Sequence, residues 1–560
     1  MPVELPLEPQ PRPAPPPASV EPADALAAPV RPSPLVAWDG RPAAVVHVVA
    51  ELAPYARTGG LGEAVASLAG FQAASGVPTA VVMPLYQEAR ARLERLGGRL
   101  EPVGDAFAVP VGPRPEAARL WRLADALPAG GERRRRPRAT HYFVQNDYYF
   151  DRPGIYGAES AGGDYGDNAR RYALFCAAAL RVLPRVAASP LVLHAHDWHT
   201  ALAPAYLRTA YAGSRYHAGV RAVLSVHNAG FQGHFAAAAV PDVGLPWSAY
   251  THHAFEWYGR LNLLKGGLAY ADAAVTVSPT HAQELRTPDG GFGLHDHFRA
   301  MGPRFGGIVN GIDQGAWDPA RDARIPAHFT AADLAGKRAC RRFLQEGYGL
   351  PVRDDVPVFA MTARLVWQKG LDLILARTGF FDLDAQWVFL GAGERRYEDA
   401  LRGVQARHPD KVRVDTAFTD AKEHALIAGA DLLLMPCQYE PCGLTQMRAQ
   451  RYGTLPVVRA VGGLADTVED GATGFVFGPY DAGAFAGCVG RALHAFGDRA
   501  RWEGMMREAM RRDFSWERSG WRYMELYQAV LNGAPHGTPN GAPNAPPNGA
   551  PNGSLDGAGR

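Results

Sequence analysis

Cysteine is scarce, with five in 560 residues at positions 176, 340, 437, 442 and 488. They form no CxxC pair and no disulfide-dense pattern, which fits a reducing compartment. An excess of either charge is also missing. The 58 basic and 56 acidic residues leave a formal charge of +2, and that balance gives no general case for nucleic acid or an acidic membrane as partner. No apolar run approaches the length of a membrane span. Prolines interrupt "MPVELPLEPQPRPAPPPASVEP" where a signal peptide needs an apolar core. The expectation is a soluble, cytoplasmic protein. What the sequence does have is length: 560 residues and 60.2 kDa are too much for one ordinary core and point to two or more domains.

Residues 1–42, rich in Pro and Ala, and 533–560, an imperfect Pro-Asn-Gly repeat, carry too little apolar content to offset ordering entropy and read as disordered tails. Between them, short apolar strands alternate with helical patterns. "AAVVHVVAEL" (43–52), "TAVVMP" (79–84), "HYFVQN" (141–146), "LVLHAHD" (191–197), "RAVLSVHN" (221–228) and "AAVTVS" (273–278) make one series. A second follows "NGIDQGAWDP" (310–319): "VPVFAMTARL" (356–365), "QWVFLGAG" (386–393), "KVRVDTAF" (411–418), "DLLLMPC" (431–437) and "TLPVVRA" (454–460). This α/β rhythm predicts two doubly wound parallel sheets, with ligands in the cleft beyond the strand ends. The run "ERRRRPR" (132–138) reads as a solvated loop.

Four polar clusters fall at those ends: "RTGGL" (57–61), "HAHDWH" (194–199), "ARLVWQKG" (363–370) and "YEPCGLTQ" (439–446). Gly59 and Gly60 sit in a strand-to-helix turn, where missing Cβ atoms and free N–H groups suit a phosphate, or where they simply make the turn tight. Arg364 and Lys369 leave a strand and enter a helix; they are a planar fork and a point charge suited to phosphate oxygens, or else surface cations. Gly443 frees a turn before the N–H groups of Leu444, Thr445 and Gln446 open a helix that can hold phosphate or a sugar hydroxyl. Cys442 is more readily a packing residue than a nucleophile, because no base is arranged beside it. His194, His196, His199 and Asp197 admit a metal reading, since an HxH on a strand puts two rings on one face, but the further ligand and a carboxylate support stay open. Asp167 reads equally as a helix cap.

The ordered set of these clusters, with "HNAGFQG" (227–233), "YADAAVTVSPT" (270–280), "VNGID" (309–313), "YGTLPVVRAVGGLADTVEDGATGF" (452–475) and "FSWERSGWRYMELY" (514–527), resembles the bacterial glycogen synthase and plant starch synthase family from about residue 44 to 532. The resemblance implies a GT-B fold: an N-terminal Rossmann-like, acceptor-side domain over 43–303, a nucleotide-sugar domain over 304–513, and a C-terminal helix over 514–532 that packs back on the first. It implies a retaining glucosyltransferase that uses ADP-glucose on an α-1,4-glucan, without metal or cofactor. It places Arg364 and Lys369 on the diphosphate, Glu440 and His196 at the transferred sugar, Asp167 near the reacting glucosyl unit, and Phe418 on the nucleotide base. Arg57, Gly59, Gly60, Asn310, Cys442, Gly443, Leu444 and Thr445 join the substrate-binding set.

Two positions depart from the family pattern, which has Lys where Arg57 stands and Asp where Glu63 stands. Arg differs from Lys in reach and donor geometry, and a uridine-using branch carries Arg in a comparable role. UDP-glucose is therefore the alternative donor. A glucan-binding protein with degenerate catalysis and a pyridoxal-dependent phosphorylase are further alternatives. A glycosidase would need a carboxylate pair, for which Asp167 and Glu440 are the candidates.

Overall fold

Val45, Val46 and Val48 in strand Ala44–Val48 are fully buried, as a strand covered by helices on both faces requires. In this computed structural model, which describes residues 35–124, 138–158, 163–376 and 379–533, that strand is central to the first sheet. Thr79–Pro84 and then Thr140–Gln145 pair parallel on one side of it. On the other side Leu191–His196, Val220–Val226, Ala273–Thr276 and Phe305–Gly307 follow, again parallel. The edge beyond Thr140–Gln145 is antiparallel: Arg114–Ala124 pairs with it, and Arg99–Pro102 and Phe107–Val111 pair with Arg114–Ala124. The second sheet is wholly parallel, in the order Val412–Asp415, Gln386–Leu390, Val358–Thr362, Leu432–Met435, Leu455–Arg459, Phe475–Phe477.

Numbered along the chain, the second sheet runs 3-2-1-4-5-6, and the parallel part of the first runs the same way with one strand added. Each therefore has one point where the winding reverses, and ligands bind at such points. In the first sheet the reversal lies between Ala44–Val48 and Leu191–His196. In the second it lies between Val358–Thr362 and Leu432–Met435. Phe305–Gly307 still belongs to the first sheet, so the crossing to the second falls after Gly307.

The chain returns through helix Trp516–Asn532. Its Tyr523, Met524, Tyr527 and Leu531 pack with Ala64 and Leu68 of helix Gly60–Ala74 and with Val192 and Val223 of the first sheet. Leu35 and Ala37 are buried in the same cluster. The Gln528 side chain clamps Val36 by accepting from its N–H at 3.1 Å and donating to its carbonyl at 2.7 Å. Residues 35–37 are thus packed, unlike the disordered tail expected up to 42: Leu35 and Ala37 face inward and Gln528 satisfies the backbone of Val36 between them, while 38–42 are exposed. The arginines of 132–138 other than Arg138, and the C-terminal repeat after Gly533, lie outside the described residues.

Candidate active site

Both winding reversals open onto one cleft of about 1070 Å³. From the first sheet come Glu51, the 57–61 loop, Asp197, His199 and His227; from the second come Arg364, Lys369, Phe418 and the 440–445 segment. Arg57, Gly59, Gly60 and Asn310 line it, as do Glu440, Cys442, Gly443, Leu444 and Thr445. His196 and Asp167 do not.

The glycine loop is held by a residue the sequence analysis did not single out. Glu51, three residues past the central strand, accepts from the N–H of Thr58 at 2.7 Å, from its hydroxyl at 2.9 Å and from the N–H of Gly59 at 3.2 Å. Tyr156 donates its hydroxyl to the same carboxylate. The N–H of Gly59, one of the two glycine N–H groups expected to face a phosphate, is therefore already occupied. Gly59 is extended, with φ −156°, and a Cβ there would meet nothing within 4 Å. Gly60 would touch only Leu444 across the cleft, at 3.4 Å. Neither glycine is needed for a tight turn; what their small size keeps is open space between the two walls.

Lys369 pairs with Glu440, Nζ to Oε2 at 2.5 Å. Burial pushes the ammonium pKa down, but the Glu440 carboxylate more than offsets this and holds it above its ordinary value, so the cation stays charged at the cleft wall. Arg364 is exposed beside it. Gly443 has φ 71°, and a Cβ there would lie 2.4 Å from Gln446 Oε1. This left-handed turn brings the chain from Glu440 to Thr445 along the cleft. Burial pushes the Cys442 thiol up to about 12, which leaves it unionised and a poor nucleophile. Asn310 Oδ1 is buried and has no protein partner. Phe418 is 48 % exposed, a free ring face in the cleft suited to stacking.

Arg57 is split between Glu63, at 3.4 Å, and Asp420 of the second lobe, at 3.0 Å. Glu63 in turn accepts from Arg448 of the second lobe at 2.5 Å, and the Arg448 guanidinium stacks 4.5 Å over the Trp317 ring. The two positions that depart from the family pattern thus make ion pairs across the cleft.

Two expectations are relocated. Asp167 occupies the N-cap position of helix Asn168–Val186 without a side-chain cap bond. Its carboxylate pairs with Arg152 at 2.9 Å, and Asp164 lines the cleft in its place. His196 lies behind His227: it is 1 % exposed, with His227 Nε2 at 3.1 Å from its Nδ1 and His47 Nδ1 at 3.0 Å from its Nε2. The strand alternation that puts His194 and His196 on one face points that face inward, against helix Trp516–Asn532. Their third neighbour is His47 rather than His199. All six ring nitrogens of His47, His194 and His196 have hydrogen-bond partners, so no lone pair in this arrangement is free for an ion. Asp197 follows with φ 58°, a strained conformation for a residue with a side chain. It accepts from the N–H of His227 at 2.6 Å, and burial pushes its carboxyl up to about 7.

Residues 44–300 match the family described as the starch synthase catalytic domain, and 349–507 match glycosyl transferases group 1. The chain is 43 % identical over 493 residues to a glycogen synthase of an Anaeromyxobacter species, covering 87 % of this chain and 99 % of that one. It is 38 % identical over 495 residues, with the same coverage, to the glycogen synthase of Thermotoga maritima. Among solved structures, the catalytic domain of starch synthase IV from Arabidopsis thaliana, bound to ADP and acarbose, superposes with a TM-score of 0.77 at 30 % identity, covering 88 % of this chain and all of that one. Sucrose-phosphate synthase from Thermosynechococcus elongatus, at 16 % identity and a TM-score of 0.54 over 87 % of this chain and 99 % of that one, shares the fold alone.

Proposed function

The chain belongs to the glycogen synthase and starch synthase family of GT-B glycosyltransferases, and we propose that its donor is ADP-glucose and its acceptor the non-reducing-end 4-hydroxyl of an α-1,4-glucan. The observation that carries this reading is the convergence of Arg57 from one sheet with Arg364 and Lys369 from the other on a single cleft at both winding reversals. As the bond from the glucosyl carbon to the diphosphate breaks, negative charge grows on the phosphate oxygens, and cations already fixed there stabilise it without reorganising. Lys369 is kept charged by Glu440, whose carboxylate also faces the site where the sugar would carry positive character. Phe418 offers the base a stacking face. Asn310, with its unpaired Oδ1, offers an acceptor to a hydroxyl.

Retention through a carboxylate nucleophile is poorly supported. Asp167 is outside the cleft in an ion pair with Arg152, and Glu440 is held by Lys369. The reading we adopt is same-face attack, in which the departing phosphate takes the proton of the acceptor hydroxyl while approach of the two lobes excludes water. Arg57 favours a second reading, UDP-glucose as donor, because a planar fork approaches a diphosphate differently from an ammonium.

Turnover of ADP-glucose and UDP-glucose on glycogen separates the two. We expect a kcat/KM preference for ADP-glucose of at least about tenfold, a difference of roughly 1.4 kcal/mol in transition-state binding. Lys369→Ala should lose about 10²–10³ in kcat, as expected for removal of one preorganised charge, with the fold intact by circular dichroism. A preference for UDP-glucose would overturn the donor assignment, and normal turnover by Lys369→Ala would overturn the placement of the diphosphate.

A further inference from the structure

Four imidazoles, an amide and two hydroxyls form an unbroken line of hydrogen bonds from the cleft wall to the C-terminal helix. His227 Nε2 meets His196 Nδ1 at 3.1 Å, His196 Nε2 meets His47 Nδ1 at 3.0 Å, and His47 Nε2 meets Gln72 Oε1 at 2.8 Å. Gln72 Nε2 donates to the Tyr527 hydroxyl at 3.1 Å; that hydroxyl lies 2.7 Å from His194 Nδ1, and His194 Nε2 lies 2.7 Å from Ser225 Oγ. Burial holds His47 at about 4 and His227 at about 3, and His194 and His196 well below the ordinary value. Each ring is therefore neutral, with one N–H and one bare nitrogen.

Along the run of neutral imidazoles His47, His196 and His227, the direction of one bond fixes the others. Gln72 Oε1 can only accept, so His47 carries its proton on Nε2 and its bare Nδ1 accepts from His196 Nε2–H. His196 Nδ1, bare in turn, accepts from His227 Nε2–H. His227 is left with an unprotonated Nδ1. That nitrogen has no partner among the described residues and is not sealed from solvent, and His227 lines the cleft. Turning the Gln72 amide over would reverse every proton in the line and present an N–H to the cleft instead. At the other end, Tyr527 accepts from Gln72 and lies within hydrogen-bond distance of His194 Nδ1.

We propose that Gln72, held by Tyr527 of the C-terminal helix, is a positioning residue that sets His227 to offer its bare Nδ1 as an acceptor for a sugar hydroxyl in the cleft. This rests on the glucosyltransferase reading, in which the bound groups are rich in hydroxyl donors. An N–H at the same place would face those hydroxyls with the opposite polarity, and a mismatched buried pair forfeits the bond and strands both groups. The line also ties the packing of the C-terminal helix, far along the chain, to the polarity of one atom in the site.

The test reads the tautomer directly, without substrate, so it stands or falls separately from the donor assignment. Two-bond ¹⁵N–¹H correlation spectra of the histidine-labelled protein, with the His227 signal identified by its loss in His227→Gln, should show Nε2 protonated in the wild type. In Gln72→Leu, His47 Nε2–H has no acceptor, so the line reverses: His227 should shift toward Nδ1–H, and kcat should fall by about tenfold or more, with donor KM within about threefold. Gln72→Glu, whose carboxylate only accepts, should keep Nε2–H on His227 and recover most of the lost kcat. Should Gln72→Leu not fold, Tyr527→Phe serves in its place: it frees the amide to turn and should give His227 in mixed tautomers. An Nδ1-protonated His227 in the wild type, an unchanged tautomer in the variant that loses the amide or the hydroxyl, or a Glu variant no better than Leu would each overturn the proposal.

Discussion

Glu51 accepts from Thr58 twice, from Gly59 and from Tyr156, and a carboxylate, with acceptor positions only, is the one side chain of its size able to do so. In Glu51→Gln an NH₂ group would meet those donors head on. A buried group left unsatisfied costs about 1–3 kcal/mol, and the 57–61 loop is where that cost would be relieved, by moving. The expected outcome is a rise of about tenfold in donor KM with a small fall in melting temperature; steady-state kinetics and a thermal melt check it, and an unchanged KM would separate Glu51 from the donor site. The glycine pair was legible as a site marker, but its physical reason was not. Nothing in "AEL" distinguishes a glutamate aimed at a loop seven residues later from one facing water. For Arg364 and Lys369 strand-end position left surface cations open, and the family resemblance is what pointed to the diphosphate; both line the cleft. His196 and Asp167 show the limit of such reading. A strand end fixes which face a side chain takes, but not whether that face looks into the cleft or into the protein.

The parallel strands were legible as β-branched runs because burial on both faces leaves no polar alternation to confuse the pattern. The antiparallel edge, Arg99–Pro102, Phe107–Val111 and Arg114–Ala124, was not. It is half exposed and punctuated by Pro and Gly, so its sequence resembles a loop. Helix Trp516–Asn532 was legible as a segment that packs back, whereas its hydrogen bonds into the histidine line were invisible, because they join residues hundreds of positions apart. That line gives the elements it joins a pH dependence. His47 and His227 ionise in the folded state only near 4 and 3, against 6.5 when unfolded. Below pH 6.5 the unfolded chain binds protons that the folded one refuses. The stability is whole above that pH and is lost as pH falls toward 4, by up to about 1.4 kcal/mol per pH unit for each such histidine. Asp197, raised to about 7, and Glu423, also raised by burial, act in the opposite direction, while His141 and His199, lowered by burial like the rings of the line, add to the decline. Chemical denaturation at pH 7, 6 and 5 should show a steep decline, and replacing His47 with Gln should make it shallower. A stability flat from pH 7 to 5 would mean that these rings are not buried and neutral.

At the scale of the molecule, two sheets wound the same way bring their reversals face to face, and several contacts across the gap are polar. Arg57 reaches Asp420, Arg448 reaches Glu63, and the Ser278 and Thr280 hydroxyls donate to Asp466. Arg57 and Asp420 are 41 % and 61 % exposed in their side chains, and such a pair contributes only about 0–1 kcal/mol. A diphosphate, with more charge and more acceptor oxygens, would draw Arg57 away from Asp420 at little cost. Arg57 and Lys369, contributed by opposite lobes, are thus expected to serve one ligand. Calorimetric titration of ADP and AMP into the wild type, Arg57→Ala and Lys369→Ala tests this most directly. Each substitution should weaken ADP by about tenfold or more, as expected for a charge-assisted bond worth roughly 1.5–3 kcal/mol, and should weaken AMP, which lacks the second phosphate, distinctly less. ADP bound equally well by wild type and either variant would contradict this.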